Sequence, residues 1–80
     1  MITVYTGNGC AYCPMVKKFL TMKKVQFEEI NVDEHPTINR KRMVEITGFT
    51  NVPITETEKG IVVGWNPQRL AELIKGESNG

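Results

Sequence analysis

The chain has 80 residues, 40% of them hydrophobic, and a formal net charge of +1 from 10 Lys and Arg against 9 Asp and Glu. That is the size and makeup of one small globular domain, and its near-neutral balance argues against a nucleic-acid-binding protein or a polybasic membrane binder. No apolar run approaches the roughly 20 residues of a membrane span, and Met1-Ile2-Thr3-Val4-Tyr5 lacks the charged and apolar regions of a secretory signal, so a cytoplasmic location is expected.

The β-branched and aromatic run Ile2-Thr3-Val4-Tyr5-Thr6 reads as a strand, which Gly7-Asn8-Gly9 breaks. A helix is expected from about Cys10 or Ala11 to Met22. Val16, Phe19 and Leu20 have the spacing of its buried stripe, and Lys17, Lys18 and Lys24 flank them in water. Pro14 falls in the first turn, where a missing N–H costs nothing. Val25, Phe27, Ile30 and Val32 alternate in part, so residues 25–32 read as a second strand with an irregularity near Glu29. Asp33 offers a cap for a second helix with Pro36 in its first turn. That helix runs to about Thr47, turns Ile38, Met43, Val44 and Ile46 inward, and stops at Gly48.

Pro53-Ile54-Thr55-Glu56 and Ile61-Val62-Val63-Gly64 read as two short strands. The link between them is short enough for a hairpin, which makes the pair antiparallel. Asn66-Pro67 starts a third helix, with Leu70, Leu73 and Ile74 on one face and Gly76 as its stop. One domain therefore spans residues 1–76, followed by a polar tail at residues 77–80. The order β-α-β-α-β-β-α describes an α/β domain. The first two strands pair in parallel through a right-handed crossover, and helices cover both faces of a four-stranded mixed sheet.

Two cysteines and one histidine cannot close a tetrahedral zinc site within one chain without carboxylates. Cys10-Ala11-Tyr12-Cys13 follows the first strand directly and opens the first helix. A C-x-x-C beside a βαβ pattern in a reducing compartment is the context of a redox pair rather than a structural staple. A helix N-terminus presents unpaired N–H groups and partial positive charge, both of which favour a thiolate. The thiolate is the nucleophile of disulfide exchange. Cys10 is therefore assigned as the attacking sulfur and Cys13 as the resolving one. Two alternatives stand beside this: a pair of buried, inert cysteines, and an iron–sulfur site in a non-enzymatic dimer that takes Cys10 from each of two chains.

Tyr5-Thr6, Cys10-Ala11-Tyr12-Cys13-Pro14, Gly48-Phe49-Thr50-Asn51-Val52-Pro53 and Gly64-Trp65-Asn66-Pro67-Gln68-Arg69-Leu70 resemble the glutaredoxin family of the thioredoxin fold, and most of all its NrdH-redoxin branch. The resemblance runs from Met1 to about Ile74. It implies a dithiol–disulfide oxidoreductase without a bound cofactor. It further implies ribonucleotide reductase as the disulfide-bearing substrate, and thioredoxin reductase drawing on NADPH as the reductant. The chain is expected to act as a monomer. Where many relatives have Pro and Gln between the cysteines, this chain has Ala11 and Tyr12. Where glutathione-dependent members carry Gly-Gly and an acidic residue, it has Val63-Gly64-Trp65-Asn66. Gln68 replaces an acidic residue of the branch, and Gly7-Asn8-Gly9 lacks the basic residue common before the first cysteine. Tyr12 is a glutaredoxin-like choice, and it supports the alternative of a glutathione-dependent dithiol glutaredoxin.

The resemblance also implies a cis bond at Val52-Pro53. In relatives this loop lies beside the cysteines and offers the backbone of the residue matching Val52 to an extended substrate segment. Tyr12, Asn51, Val52, Pro53 and Trp65 are the candidate substrate-binding residues. Phe49 and Thr50 belong to the same neighbourhood. Trp65 is equally suited to packing. His35 is read as a surface residue at a helix start, Arg40-Lys41-Arg42 as a solvated basic face, and Met15, Met22 and Met43 as packing residues.

Overall fold

A computed structural model describes residues 2–75, so the expected stop at Gly76 and the polar tail at 77–80 lie outside the described residues. The elements are β1 (Ile2–Thr6), α1 (Cys13–Met22), β2 (Phe27–Asn31), α2 (Pro36–Thr47), β3 (Ile54–Thr57), β4 (Gly60–Val63) and α3 (Pro67–Leu73). They form the expected α/β arrangement, a four-stranded mixed sheet in the order β2-β1-β3-β4. β1 runs parallel to β2, from Ile2 opposite Phe27 to Thr6 opposite Asn31. β3 is antiparallel to both β1 and β4, with Tyr5 opposite Ile54 and Ile54 opposite Val63. Among the described residues, no helix is long and apolar enough to cross a membrane.

The pleat of β1 divides the core in two, because successive side chains point to opposite faces. Ile2 and Val4 pack with Val16 and Leu20 of α1, Val62 of β4, Leu70 of α3 and Ile74 just beyond it. Tyr5 packs on the other face with Ile30, Val32, Ile54 and Met43 of α2. Each such aliphatic side chain contributes roughly 1.5–3 kcal/mol by leaving water. The third helix starts as expected: the Asn66 side chain accepts the Arg69 N–H at 3.1 Å, and Pro67 takes the first turn.

Helix α1 begins at Cys13, later than the expected Cys10 or Ala11. Pro14 explains the delay. A cap at residue 10 would require an N–H from position 14, and proline has none. The first regular helical bond instead runs from the Val16 N–H to the Tyr12 carbonyl at 3.1 Å. Phe19 is half-buried rather than buried, and its ring meets Trp65 edge-on at 5.8 Å between centroids. Met15 and Met22 do not pack inside: Met22 is 70% exposed and Met15 is also exposed. Met43 alone of the three is buried.

The second strand is shorter than expected and its pairing is regular through residue 29. What breaks the apolar alternation is a carboxylate. Glu29 lies opposite Val4 on the α1 side of an edge strand. There it accepts the Thr6 hydroxyl at 2.9 Å and pairs with Lys17 of α1 at 3.1 Å, so Lys17 is engaged rather than free in water.

Helix α2 has the expected span, but its inward face differs. Ile38 is 68% exposed, and Val44 and Ile46 are exposed too. The stripe against the sheet is Asn39, Met43 and Thr47, spaced i, i+4, i+8. Its polar ends are satisfied locally. The Asn39 amide donates to the Asn31 and Glu34 carbonyls, and the Thr47 hydroxyl donates to the Met43 carbonyl. Asp33 is not the cap. His35 holds that position with φ 52° and no side-chain cap bond, on the surface as expected.

Candidate active site

The strand register gathers the candidate residues at one end of the sheet. The C-terminal ends of β1, β2 and β4 meet the N-terminal end of β3 there. The loop after β1 carries Cys10, the loop before β3 carries Val52 and Pro53, and the loop after β4 carries Trp65. Parallel strands present their C-terminal ends as the usual place for chemistry in α/β folds.

Cys10 and Cys13 are joined by a disulfide, with their Cα atoms 5.5 Å apart. The two sulfurs are not equivalent. Cys13 is the first residue of α1 and only 3% exposed, whereas Cys10 lies in the preceding loop and is half-buried. The Cys13 N–H donates to the Cys10 sulfur at 3.2 Å. No side chain caps the start of α1, which leaves that amide free for the sulfur.

Val52-Pro53 is a cis peptide, as the resemblance implied. Pro53 is buried and its carbonyl accepts the Gly64 N–H at 2.7 Å, which ties the Gly64-Trp65 corner to the proline loop. Val52 is half-buried and reaches the loop before Cys10: a Cβ on Gly7 would lie 3.2 Å from its Cγ2. Trp65 is half-buried and packs edge-on against Phe19. Tyr12 is 54% exposed on the loop of the cysteines. Phe49, Thr50 and Asn51 are exposed ahead of the proline.

Sequence reasoning passed over a polar cluster that holds the cysteine loop. The Asp33 carboxylate accepts the Asn8 N–H at 2.7 Å and pairs with Arg40 at 2.7 Å. The Asn31 amide donates to the Asn8 side-chain oxygen at 3.1 Å, and the Asn31 side-chain oxygen accepts the Asp33 N–H at 2.8 Å. The Asn8 amide, and then Arg40, hold the Asp33 carboxyl below the usual carboxylate range. Arg40 is thus engaged, while Lys41 and Arg42 are exposed as the basic face required. The signal was the Asn31-Val32-Asp33 run at the end of a strand, which reads first as a turn and cap. Among the described residues, no group of three or more His, Cys, Asp or Glu is placed to hold a metal ion.

The sequence pattern of the Glutaredoxin family matches residues 2–57. The chain is 40% identical over 73 residues to the glutaredoxin-like protein NrdH of Lactococcus lactis subsp. lactis, covering 91% of this chain and 99% of that protein. Its fold matches the glutaredoxin of Archaeoglobus fulgidus with a TM-score of 0.83 at 29% identity, over 94% of this chain and 86% of the other. It matches the glutaredoxin-like NrdH-redoxin of Escherichia coli with a TM-score of 0.75 at 29% identity, over 90% and 92% of the two chains. A strand-to-helix C-x-x-C with one shielded and one accessible sulfur, in a chain carrying this pattern over most of its length, belongs to the glutaredoxin family and is a thiol–disulfide oxidoreductase with Cys10 and Cys13 as its redox-active pair.

Proposed function

We propose that this protein is an electron carrier of the NrdH-redoxin kind, donating to ribonucleotide reductase and re-reduced by thioredoxin reductase with NADPH. The observation that carries the roles within the pair is its asymmetry, with Cys10 half-buried in the loop and Cys13 buried behind it. The Cys10 thiolate attacks one sulfur of the substrate disulfide. That S–S bond breaks, one substrate thiolate leaves and takes a proton, and a mixed disulfide with Cys10 remains. Cys13, losing its proton, attacks the Cys10 sulfur. The second substrate thiolate departs, the Cys10–Cys13 bridge closes, and two electrons have passed to the substrate. NADPH, acting through the reductase, supplies the two electrons that reopen the bridge.

The substrate segment lies extended along Val52, pairing with its backbone N–H and C=O. Pro53 shapes the floor, and Tyr12, Asn51 and Trp65 frame the opening. The cycle needs a compartment that keeps re-reducing the bridge, which is the cytoplasm. The choice of reductant is supported by the similarity to NrdH proteins and by Val63-Gly64-Trp65-Asn66 at the proline corner. The NrdH-redoxin of Escherichia coli is itself described as having a thioredoxin-like activity profile.

A paired assay tests this reading. NADPH consumption is followed with thioredoxin reductase in one arm and with glutathione plus glutathione reductase in the other. Rapid turnover in the first arm and slow turnover in the second is the expected result. Efficient reduction by glutathione alone overturns it in favour of a glutathione-dependent glutaredoxin, the reading that Tyr12 favours.

A further inference from the structure

The turn that delivers Cys10 is held from outside. The Cys10 N–H returns to the Gly7 carbonyl at 3.4 Å, so residues 7–10 fold back on themselves. Little within this turn keeps it in place. Asn8 and Gly9 are exposed, and Gly9 has φ 72°. The Asp33 carboxylate takes the Asn8 N–H on one oxygen and Arg40 on the other, while Asn31 holds the Asn8 side chain. The contact is tight. A Cβ on Gly7 would lie 3.1 Å from the Asp33 oxygen and 3.2 Å from Val52. Gly7 therefore sits where the cysteine loop, the Asp33 loop and the proline loop meet.

We propose that Asp33 is a positioning residue for the redox pair: its carboxylate clamps the Asn8 turn, and through that turn it holds the Cys10 sulfur over the Cys13 amide. This rests on Cys10 being the attacking sulfur. A charge-assisted bond from a backbone N–H to a carboxylate is among the stronger hydrogen bonds a surface loop can make. Small misplacements of a reacting group cost rate steeply. Asp33 acts through Asn8; Arg40 from α2 and Asn31 from β2 in turn hold Asp33 and Asn8.

The sign of one measurement separates positioning from simple charge. The alkylation rate of Cys10 by iodoacetamide is followed against pH in the reduced protein, with mass spectrometry assigning the modified sulfur. Deleting a nearby anion stabilises a thiolate and lowers the midpoint. Loosening the turn instead pulls Cys10 off the Cys13 amide and raises it. Asp33→Ala is expected to raise the midpoint by about 0.5 pH unit or more, the size of shift a lost thiolate hydrogen bond produces. Asp33→Asn, isosteric and still able to accept the Asn8 N–H, is expected to raise it by less and keeps the test alive should the alanine variant fail to fold. Turnover of insulin disulfides by Asp33→Ala is expected to fall about tenfold, mostly in kcat. An unmoved or lowered midpoint with Cys10 alkylated first overturns the proposal alone, even where thermal stability falls. Alkylation of Cys13 first overturns the assignment of Cys10 and the proposal with it.

Discussion

The Cys13 N–H meets the Cys10 sulfur at 3.2 Å, so the first amide of α1 points at the more accessible of the two cysteines. This places the stabilising donor on the attacking sulfur and leaves the resolving sulfur shielded. Cys10→Ser is expected to reduce disulfide turnover to background. Cys13→Ser is expected to accumulate a mixed disulfide with the substrate, visible as a covalent adduct on a non-reducing gel. A Cys13→Ser protein that is inactive and forms no adduct would show that the roles are reversed.

Gly7 is a glycine for reasons of space. A methyl group there presses on both the Asp33 carboxylate and Val52. Gly7→Ala is expected to cost about 1–2 kcal/mol as an overpacked contact. For a domain of this size each kcal/mol lowers Tm by roughly 4–8 °C. A Tm within a degree of the parent would mean that the two loops part freely.

Glu29 serves Thr6 more than Lys17. The ion pair is half-exposed and worth about 0–1 kcal/mol, while the buried Thr6 hydroxyl needs an acceptor. Glu29→Gln keeps an acceptor and is expected to cost less than about 1 kcal/mol. Glu29→Ala strands the hydroxyl and is expected to cost about 1–3 kcal/mol. Urea denaturation of the two variants checks the difference, and equal losses would contradict it.

The face of α2 that meets the sheet is testable by contrast. Met43→Ala empties a buried position and is expected to cost about 2–5 kcal/mol. Ile38→Ala removes an exposed side chain and is expected to stay within about 0.5 kcal/mol. Similar losses at both positions would place Ile38 in a contact the present packing does not contain.

Tyr5 is expected to shape the alkaline limb of stability. Its ring is fully buried, and the Arg42 guanidinium acts on its hydroxyl. Burial raises its pKa above the ordinary value of 10.0, with Arg42 pulling the other way. A raised folded-state value means the contribution is complete below pH 10.0 and is lost as pH climbs through the folded value. Tyr5→Phe is expected to flatten the loss of stability above that pH. An unchanged alkaline limb in Tyr5→Phe, followed by thermal unfolding against pH, would assign that limb to other groups.

Elements whose signals are local could be read from the sequence. The β-branched runs, the hairpin, the Asn66 cap and the C-x-x-C between a strand and a helix each depend on neighbours within a turn or a short strand. So does the span of α2, marked by Pro36 and Gly48. What depended on residues far along the chain could not be read. Glu29 looked like a flaw in a strand until Thr6 and Lys17 came to lie against it, and Asp33 looked like a helix cap until Asn8, 25 residues earlier, turned toward it. The buried stripe of α2 was hidden because Asn39 and Thr47 are polar, and each meets its hydrogen-bonding need on nearby backbone carbonyls. The sequence by itself determined that two cysteines stand at the start of a helix, where chemistry favours a thiolate. Only the tertiary structure decided what holds the Cys10 loop, because polar pairing between distant residues is set by whatever the fold lays across them.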